Sequence, residues 1–188
     1  MRRRFMADTG MPLPIEVLAG RRVTLQPFLA ADVTPEYVGW LNDPQVVRFS
    51  NQRFRRHSLS SCRDYVASFG GSPNRFLKIL RQEDGRMVGT MTAYAAVHHG
   101  TVDIGLMVGC RSTWGQGVGQ DAWNTLLYWL LEIAGVRKVT GGAMRCNLAM
   151  VRIMERSGMT LEAVRPGQEM LDGIPQDLVY FGKFRDTV

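Results

Sequence analysis

Three glycines at alternate positions form the segment of this chain that is best suited to binding a ligand. Gly115, Gly117 and Gly119 follow an apolar run and precede a segment with apolar residues at helical spacing. The first amide groups of a helix lack intrahelical partners and carry the positive end of the helix dipole, and glycines let an anion approach them. The segment therefore predicts a phosphate-binding turn, with tight packing of helix on sheet as the alternative.

Two common phosphate-binding loops do not fit this segment. A Walker loop ends in Gly-Lys-Ser/Thr, and this chain has no such ending. The dinucleotide-binding fingerprint requires a third glycine where Gln120 stands, and it opens a sheet, whereas several strand-like runs precede this segment. Both classes of site are excluded.

The segment Trp114-Gly115-Gln116-Gly117-Val118-Gly119 instead resembles the acyl-CoA loop of the GNAT family of N-acetyltransferases, usually written Arg/Gln-x-x-Gly-x-Gly/Ala. Trp114 stands in place of the Arg or Gln, as in the branch with ribosomal-protein alanine acetyltransferases and amino-sugar acetyltransferases. A second block, Asn147 followed by Glu155-Arg156-Ser157-Gly158-Met159, is similar to the family's Asn-x-x-Ser/Ala…Glu-Lys-x-Gly-Phe signature. The resemblance covers about residues 20 to 185.

The resemblance implies that acetyl-CoA is the co-substrate. It implies that the pyrophosphate binds the main-chain amides of the loop and that the pantetheine arm lies along the preceding strand like an added strand. Asn147 would reach the same arm, or cap a helix, or do both. The residues expected to bind the cofactor are Leu106, Met107, Val108, Gly115, Gln116, Gly117, Val118, Gly119, Gln120 and Asn147.

Acetyl transfer to an amine needs a group that accepts a proton and a donor that stabilises the acyl oxygen. Asp103 is the best candidate for the base, because the resemblance places its strand beside the cofactor; a surface carboxylate is the alternative. A backbone N–H near Met107 and Val108 would stabilise the oxygen. Many relatives carry a tyrosine where Met154 stands, so Tyr180 is the candidate acid, although buried packing or catalysis by positioning alone also fits.

The acceptor is expected to lie against the basic segment between the first two helices. The run from Tyr37 to Phe49, with Gln52-Arg53-Phe54, is similar to the N-terminal part of nucleotide-sugar N-acetyltransferases of the pseudaminic-acid pathway type. Guanidinium groups there suit a diphosphate; a solvated basic loop is the alternative. The residues expected to bind the acceptor are Arg48, Phe49, Gln52, Arg53 and Arg55. A protein N-terminus, a small antibiotic or polyamine, and a non-catalytic acyl-CoA-binding domain remain alternatives.

Composition narrows the partners and the location. A net charge of +6 suits an anionic substrate or nucleic acid, but no zinc finger, RNA-binding aromatic signature or helix-turn-helix accompanies it, so no nucleic acid is expected. Three separated cysteines without a CxxC pair indicate a reducing cytoplasm and no metal site. No window is apolar enough to span a membrane, so no membrane partner is expected. A small-molecule amine or a peptide N-terminus is the expected partner, and a homodimer remains open.

The elements that must position these residues follow the order β-α-α-β-β-β-α-β-α-β-β. An antiparallel meander followed by strand-helix-strand predicts a mixed sheet of the α+β (α/β) class. The GNAT resemblance implies about seven mostly antiparallel strands, splayed in the middle, with about four helices. The chain length predicts a single domain. The resemblance implies that it is a GNAT acetyltransferase domain over residues 15–188, and residues 1–14 are expected to form a disordered tail.

Overall fold

One eight-stranded sheet runs through residues 16–186, the part of the chain that this computed structural model describes. The expected tail over residues 1–14 lies outside these residues. The strands are β1 (Leu18–Ala19), β2 (Val23–Pro27), β3 (Arg75–Arg81), β4 (Met87–Ala96), β5 (Thr101–Val108), β6 (Lys138–Met144), β7 (Thr160–Leu171) and β8 (Ile174–Phe184). The α-helices are α1 (Pro35–Asn42), α2 (Leu59–Ala67), α3 (Val118–Tyr128) and α4 (Leu148–Arg156), and a π-helical turn over Trp129–Ile133 extends α3.

The sheet order is β1-β2-β3-β4-β5-β6-β8-β7. Only the β5–β6 pair is parallel, because α3 carries the chain back between these two strands. The predicted mixed, mostly antiparallel sheet is confirmed. It has eight strands within the described range because the two residues of β1 pair with β2, and so short a run gives no strand pattern in the sequence.

The sheet opens between β5 and β6. These strands pair only at Thr101–Lys138, Val102–Val139 and Asp103–Thr140, whereas β4 remains paired with β5 as far as Val108. The β6-facing edge of β5 after Asp103 therefore has no strand partner among the described residues. The expected splay is present, and Asp103 stands where it begins.

The two faces of the sheet carry different helices. The larger core cluster contains Trp123 of α3 and Met154 of α4, with Ile104 of β5, and Leu106 and Val108 pack against it. The smaller cluster contains residues of α1 and α2, with Met107 packed against it. Alternate residues of β5 therefore point to opposite faces, as the sequence pattern predicts. The face that carries α1 and α2 is called the α1 face below.

Side-chain caps fix where three helices begin. The Thr34 hydroxyl accepts the N–H of Tyr37 ahead of Pro35, which is the first residue of α1. Ser58 and Ser61 form a reciprocal capping pair at α2, and Asn147 accepts the N–H of Met150 at α4. From the sequence alone, Thr34 before Pro35, Ser58 and Asn147 are predicted to mark helix starts, and the structure confirms all three boundaries.

The β7–β8 hairpin is longer than the sequence predicts. The sequence alone predicts the last two strands over residues 159–164 and 178–184. In the structure they run over Thr160–Leu171 and Ile174–Phe184, joined by Asp172 and Gly173. Pro166 and Gly167 are weak strand formers, so the strand pattern in the sequence stops before them. The strand continues because its register shifts between Arg165 and Glu169, where Gly167 adopts a φ of 57°. The hairpin thereby reaches the α1–α2 connection.

Among the helices over residues 16–186, none is both long and apolar enough to cross a membrane. No group of three His, Cys, Asp or Glu side chains in the same range is arranged to hold a metal ion.

Candidate functional site

The N-terminus of α3 presents free main-chain donors. Gly117 precedes the helix with a φ of 79°, and no side chain caps it. The first intrahelical bond runs from the N–H of Asp121 to Gly117, so the N–H groups of Val118, Gly119 and Gln120 have no intrahelical acceptor. The glycine segment thus leaves space and donors for an anion, which fits the pyrophosphate of acetyl-CoA.

Gln116 differs from the other amides predicted to bind phosphate. Its N–H donates to the carbonyl of Thr113 at 3.3 Å, within the turn that leads into the loop. Gly115 adopts a φ of 75° beside it, a conformation that favours glycine. The donors available to an anion therefore begin after Gln116.

Trp114 joins this loop to the end of β5. Its indole N–H donates a 2.8 Å hydrogen bond to the carbonyl oxygen of Val108. The ring remains 44% exposed, with the Arg111 guanidinium carbon 5.9 Å from its centroid. The residue that departs from the family motif therefore has a structural role, since it ties the loop to the strand.

Arg22 lies beside the loop, although it is distant in sequence. The Asp121 carboxylate accepts the N–H groups of Arg21, Arg22 and Val23 at 3.1, 2.7 and 3.1 Å, which fixes the start of β2 against the first turn of α3. A Cβ on Gly117 would stand 3.8 Å from Nε of Arg22. The Arg22 guanidinium makes no ion pair with the residues described. No local motif marks this arginine, because only the packing of β2 on α3 brings it there.

The open edge of β5 directs particular main-chain groups into the gap. The Ile104 carbonyl oxygen faces Gly141 of β6, 3.3 Å from where a Cβ on that glycine would be. The Met107 carbonyl oxygen instead lies against Gly89 of β4. Because main-chain groups alternate along a strand, those of Leu106 and Val108 face the gap and those of Met107 face β4. Of the three predicted strand residues, Leu106 is placed to pair with an added strand through both its main-chain groups, and Val108 through its N–H, since its carbonyl accepts from Trp114.

Glycines border the gap on the α1 face. Gly105 on β5 and Gly142 on β6 project no side chain there, and both belong to the strand segments beyond the last β5–β6 pair. On the opposite face, a Cβ on Gly119 would lie 3.3 Å from side-chain atoms of Leu106 and Val108. Helix α3 therefore packs closely against the gap on the face of the larger core cluster, and the α1 face gives access to the gap.

Asp103 lies at the vertex of the gap. The Thr140 hydroxyl donates a 2.7 Å hydrogen bond to Oδ2 of Asp103. Desolvation raises the pKa of the Asp103 carboxyl above its usual range, and the Thr140 hydrogen bond opposes this shift. A carboxyl group with a raised pKa at the end of an open cleft has the properties of a general base.

Tyr180 lies on the α1 face as well. It is half-buried in β8 opposite Gly142, and the Arg165 guanidinium carbon lies 5.0 Å from its ring centroid. Asp103 and Tyr180 thus share a face, with β6 between them. The structure places the two candidate catalytic side chains on one side of the gap.

Two polar side chains connect α4 to the site. Asn147, expected to reach the pantetheine arm, is the N-cap of α4, with Oδ1 3.3 Å from the N of Met150. The Gln120 amide donates to the Ser157 hydroxyl at 2.9 Å and to the Ile153 carbonyl at 3.2 Å. These bonds hold the first turn of α3 against α4.

The predicted acceptor residues divide into two groups. Arg48 forms a 2.6 Å ion pair with Asp172, and Arg53 donates to the carbonyl of Met170 at 2.9 Å, so both contact the β7–β8 tip. Gln52 and Arg55 instead line a cavity between α1 and α2. Phe49 is partly exposed in the same connection, near the Arg48 guanidinium. The hairpin contact was not predicted, because the turn that makes it is more than 100 residues away.

Comparison with known proteins places this geometry in a family. A family model described as an acetyltransferase (GNAT) domain matches residues 22–160. No curated protein sequence matches the chain.

Three solved structures illustrate the similarity of fold. The ribosomal L7/L12 alpha-N-protein acetyltransferase RimL, in complex with coenzyme A, has a TM-score of 0.78 at 18% identity. The match covers 91% of this chain and 99% of that chain. The ribosomal-protein-S5-alanine acetyltransferase from Vibrio fischeri has a TM-score of 0.77 at 10% identity, covering 92% and 98%. A chimera of the spermidine N-acetyltransferase SpeG from Vibrio cholerae with hSSAT has a TM-score of 0.75 at 14% identity, covering 87% and 96%.

Proposed function

This chain belongs to the GNAT acetyltransferase family and uses acetyl-CoA to acetylate an amine, and we propose that the amine is carried by a nucleotide-linked amino sugar. The observation that carries the proposal is the pair of exposed guanidinium groups of Arg55 and Arg56 on the acceptor side, neither of which has an ion-pair partner within residues 16–186. Free guanidinium groups suit the phosphates of such an acceptor.

In this proposal, acetyl-CoA supplies the acetyl group as a thioester. The N–H groups of Val118, Gly119 and Gln120 bind its pyrophosphate, and Arg22 adds a positive charge beside them. The pantetheine arm lies along the open edge of β5 and pairs with the main chain of Leu106, because the Val108 carbonyl is already bonded to Trp114. Asn147 supports the arm through its position at the start of α4.

Asp103 takes the proton that the acceptor amine must lose. Its carboxylate stands at the vertex of the gap, held by Thr140, on the face open to the acceptor. The N–H of Val108 faces the gap and stabilises the charge that develops on the acyl oxygen. Tyr180 is the candidate donor to the departing thiolate, since its half-buried ring lies on the same face.

The basic connection plays two roles in the acceptor site. Arg48 and Arg53 hold the β7–β8 tip against it, which forms the rim of the site. Gln52 and Arg55 remain available to the acceptor, with Phe49 beside them. A polycationic acceptor is disfavoured at such an entrance, because like charges repel.

A protein N-terminus is the second candidate acceptor. Two of the structural neighbours carry names of ribosomal-protein acetyltransferases, although their identity to this chain is only 18% and 10%. The long edge strand β7 is exposed along most of its length and offers unpaired main-chain groups to a peptide. We also propose a cytoplasmic location, and a homodimer is one assembly left open for testing.

The test is a thiol-release screen with acetyl-CoA. UDP-linked 4-amino sugars, peptides beginning with Ala or Ser, and spermidine are supplied separately at equal concentrations. Release of coenzyme A with the amino sugar alone supports the proposal, whereas release with a peptide alone replaces it with the second candidate. Calorimetric binding of acetyl-CoA without release for any amine would indicate a non-catalytic domain.

A further inference from the structure

A cavity of about 180 Å³ lies between α1, α2 and the connection that joins them. A cavity volume of about 10–15 Å³ is enough to hold one water molecule, so this cavity has room for a larger group. Tyr37 of α1, His57 of the connection and Cys62 of α2 are among the residues that line it. The cavity lies apart from the glycine segment at α3.

The position of His57 is fixed by its main chain. The Asn42 side chain at the end of α1 donates to the His57 carbonyl at 2.9 Å and accepts the His57 N–H at 2.9 Å. Ser58, the next residue, caps α2. The main chain of His57 is therefore held between the two helices.

One polar atom at the cavity is buried without a partner. His57 Nε2 is shielded from solvent and makes no hydrogen bond. Tyr37 lines the same cavity and is only 2% exposed as a residue. Buried polar groups are almost always paired, so an unpaired imidazole nitrogen beside this space indicates a ligand that pairs with it.

The charge around the cavity selects the kind of ligand. Arg55 and Arg56 lie at its rim, and no Asp or Glu is among the lining residues. Burial raises the pKa of both the Tyr37 hydroxyl and the Cys62 thiol, so neither contributes a negative charge near neutral pH. The site therefore offers hydrogen-bond donors and positive charge, which suits an anion.

We propose that this cavity binds one phosphate or carboxylate group, with Tyr37 and His57 donating to it inside and Arg55 and Arg56 pairing with it at the rim. The group is carried either by the acceptor or by a free anion. Only the first source rests on the proposed function.

The cavity is connected to the candidate base through two tyrosines. Tyr65 lines the cavity, and its hydroxyl lies 2.7 Å from that of Tyr94. Tyr94 stands directly opposite Asp103 in the β4–β5 register. A group bound in the cavity thus lies on the same face as Asp103, separated from it by the Tyr65–Tyr94 pair.

The binding test uses inorganic phosphate and acetate as probes, without acetyl-CoA or any amine. Resonances of the three histidine rings are followed by NMR in a phosphate-free buffer at constant ionic strength, and His57→Gln assigns the ring of interest. We expect a saturable shift at His57 but not at His98 or His99. Absence of a saturable shift at His57 with both probes would overturn the proposal.

Variants test which side chains bind the anion. Tyr37→Phe removes only the hydroxyl and should weaken phosphate binding about fivefold, and the double variant Arg55→Gln/Arg56→Gln should weaken it about tenfold or more. Arg63→Gln is the control, since Arg63 is an exposed arginine of α2 that does not line the cavity. Equal affinity in all variants would contradict the assignment.

Kinetics then distinguish the two sources. If the acceptor carries the group, phosphate competes with the acceptor but not with acetyl-CoA; if a free anion binds, phosphate changes kcat without such competition. The cavity assignment survives even if no amino sugar is acetylated, because the NMR shift does not depend on transfer. Conversely, acetylation of an amino sugar without any His57 shift would support the proposed function and reject this site.

Discussion

The indole N–H of Trp114 donates a 2.8 Å hydrogen bond to the carbonyl oxygen of Val108, the last residue of β5. This carbonyl would otherwise be available on the open edge that faces β6. The bond therefore sets the end of the edge that an added strand can use and fixes the glycine segment relative to it. Trp114, which departs from the family motif, therefore limits how far an added strand can pair along β5.

Replacing this tryptophan tests that role. Trp114→Phe keeps an aromatic ring but removes the donor, and one hydrogen bond of this kind contributes about 1 kcal/mol, or about fivefold in affinity. We expect the KM for acetyl-CoA to rise by about this factor while kcat changes little. Trp129→Phe is a matched control outside the loop. A similar rise in both variants would indicate a general loss of stability.

Charge at Gly117 tests whether the loop binds phosphate. Asp and Asn have the same shape and both tolerate the positive φ of 79° at this position, so comparing Gly117→Asp with Gly117→Asn isolates the charge. We expect the Asp variant to bind acetyl-CoA at least about tenfold more weakly than the Asn variant, because a carboxylate would lie against the pyrophosphate. Calorimetry measures both, and equal affinities would remove the loop assignment.

Arg22 and its neighbour Arg21 form a natural pair of variant and control. Arg22 lies beside Gly117, whereas both residues contact Asp121 through their main chains, which Ala substitution preserves. Loss of a charge-assisted contact costs about 1.5–3 kcal/mol, so Arg22→Ala should weaken acetyl-CoA binding about tenfold or more, and Arg21→Ala should not. The same loss with acetyl-dephospho-CoA would identify the pyrophosphate as the partner. Equal effects of the two variants would contradict the prediction.

The pH dependence of turnover tests Asp103. A base must be ionised, so kcat falls as pH decreases through the pKa of Asp103, which desolvation raises. Asp103→Asn should lower kcat about a hundredfold and abolish this acidic limb. Thr140→Val removes the hydrogen bond that lowers the pKa of Asp103. In this variant the acidic limb of the pH–rate profile should move to higher pH, with little loss of kcat at alkaline pH. An unaltered profile in both variants would rule out Asp103 as the base.

Local patterns predicted most of the elements because their causes are local. The caps Thr34, Ser58 and Asn147 lie within three residues of the N–H groups they bind, and the alternation along β5 predicted which side chains face each core. The glycine segment predicted a turn at the start of α3 for the same reason, whereas phosphate binding there stays a prediction. The length of the hairpin was missed, because a register shift keeps residues 166–169 in β7 despite a proline and a glycine.

The sequence by itself determined the order of the elements, the start of the helices and the loop that suits a phosphate, since these depend on propensities and on contacts within a few residues. Tertiary structure decided which arginines are free to bind a ligand. Arg48 forms an ion pair with Asp172, and Arg53 donates to the Met170 carbonyl. Arg22, Arg55 and Arg56 have no ion pair in the range described. It also brought His57 and Tyr37 to one cavity. Such pairings join residues far apart in the chain, and only the packing of helices on the sheet fixes the distances between them.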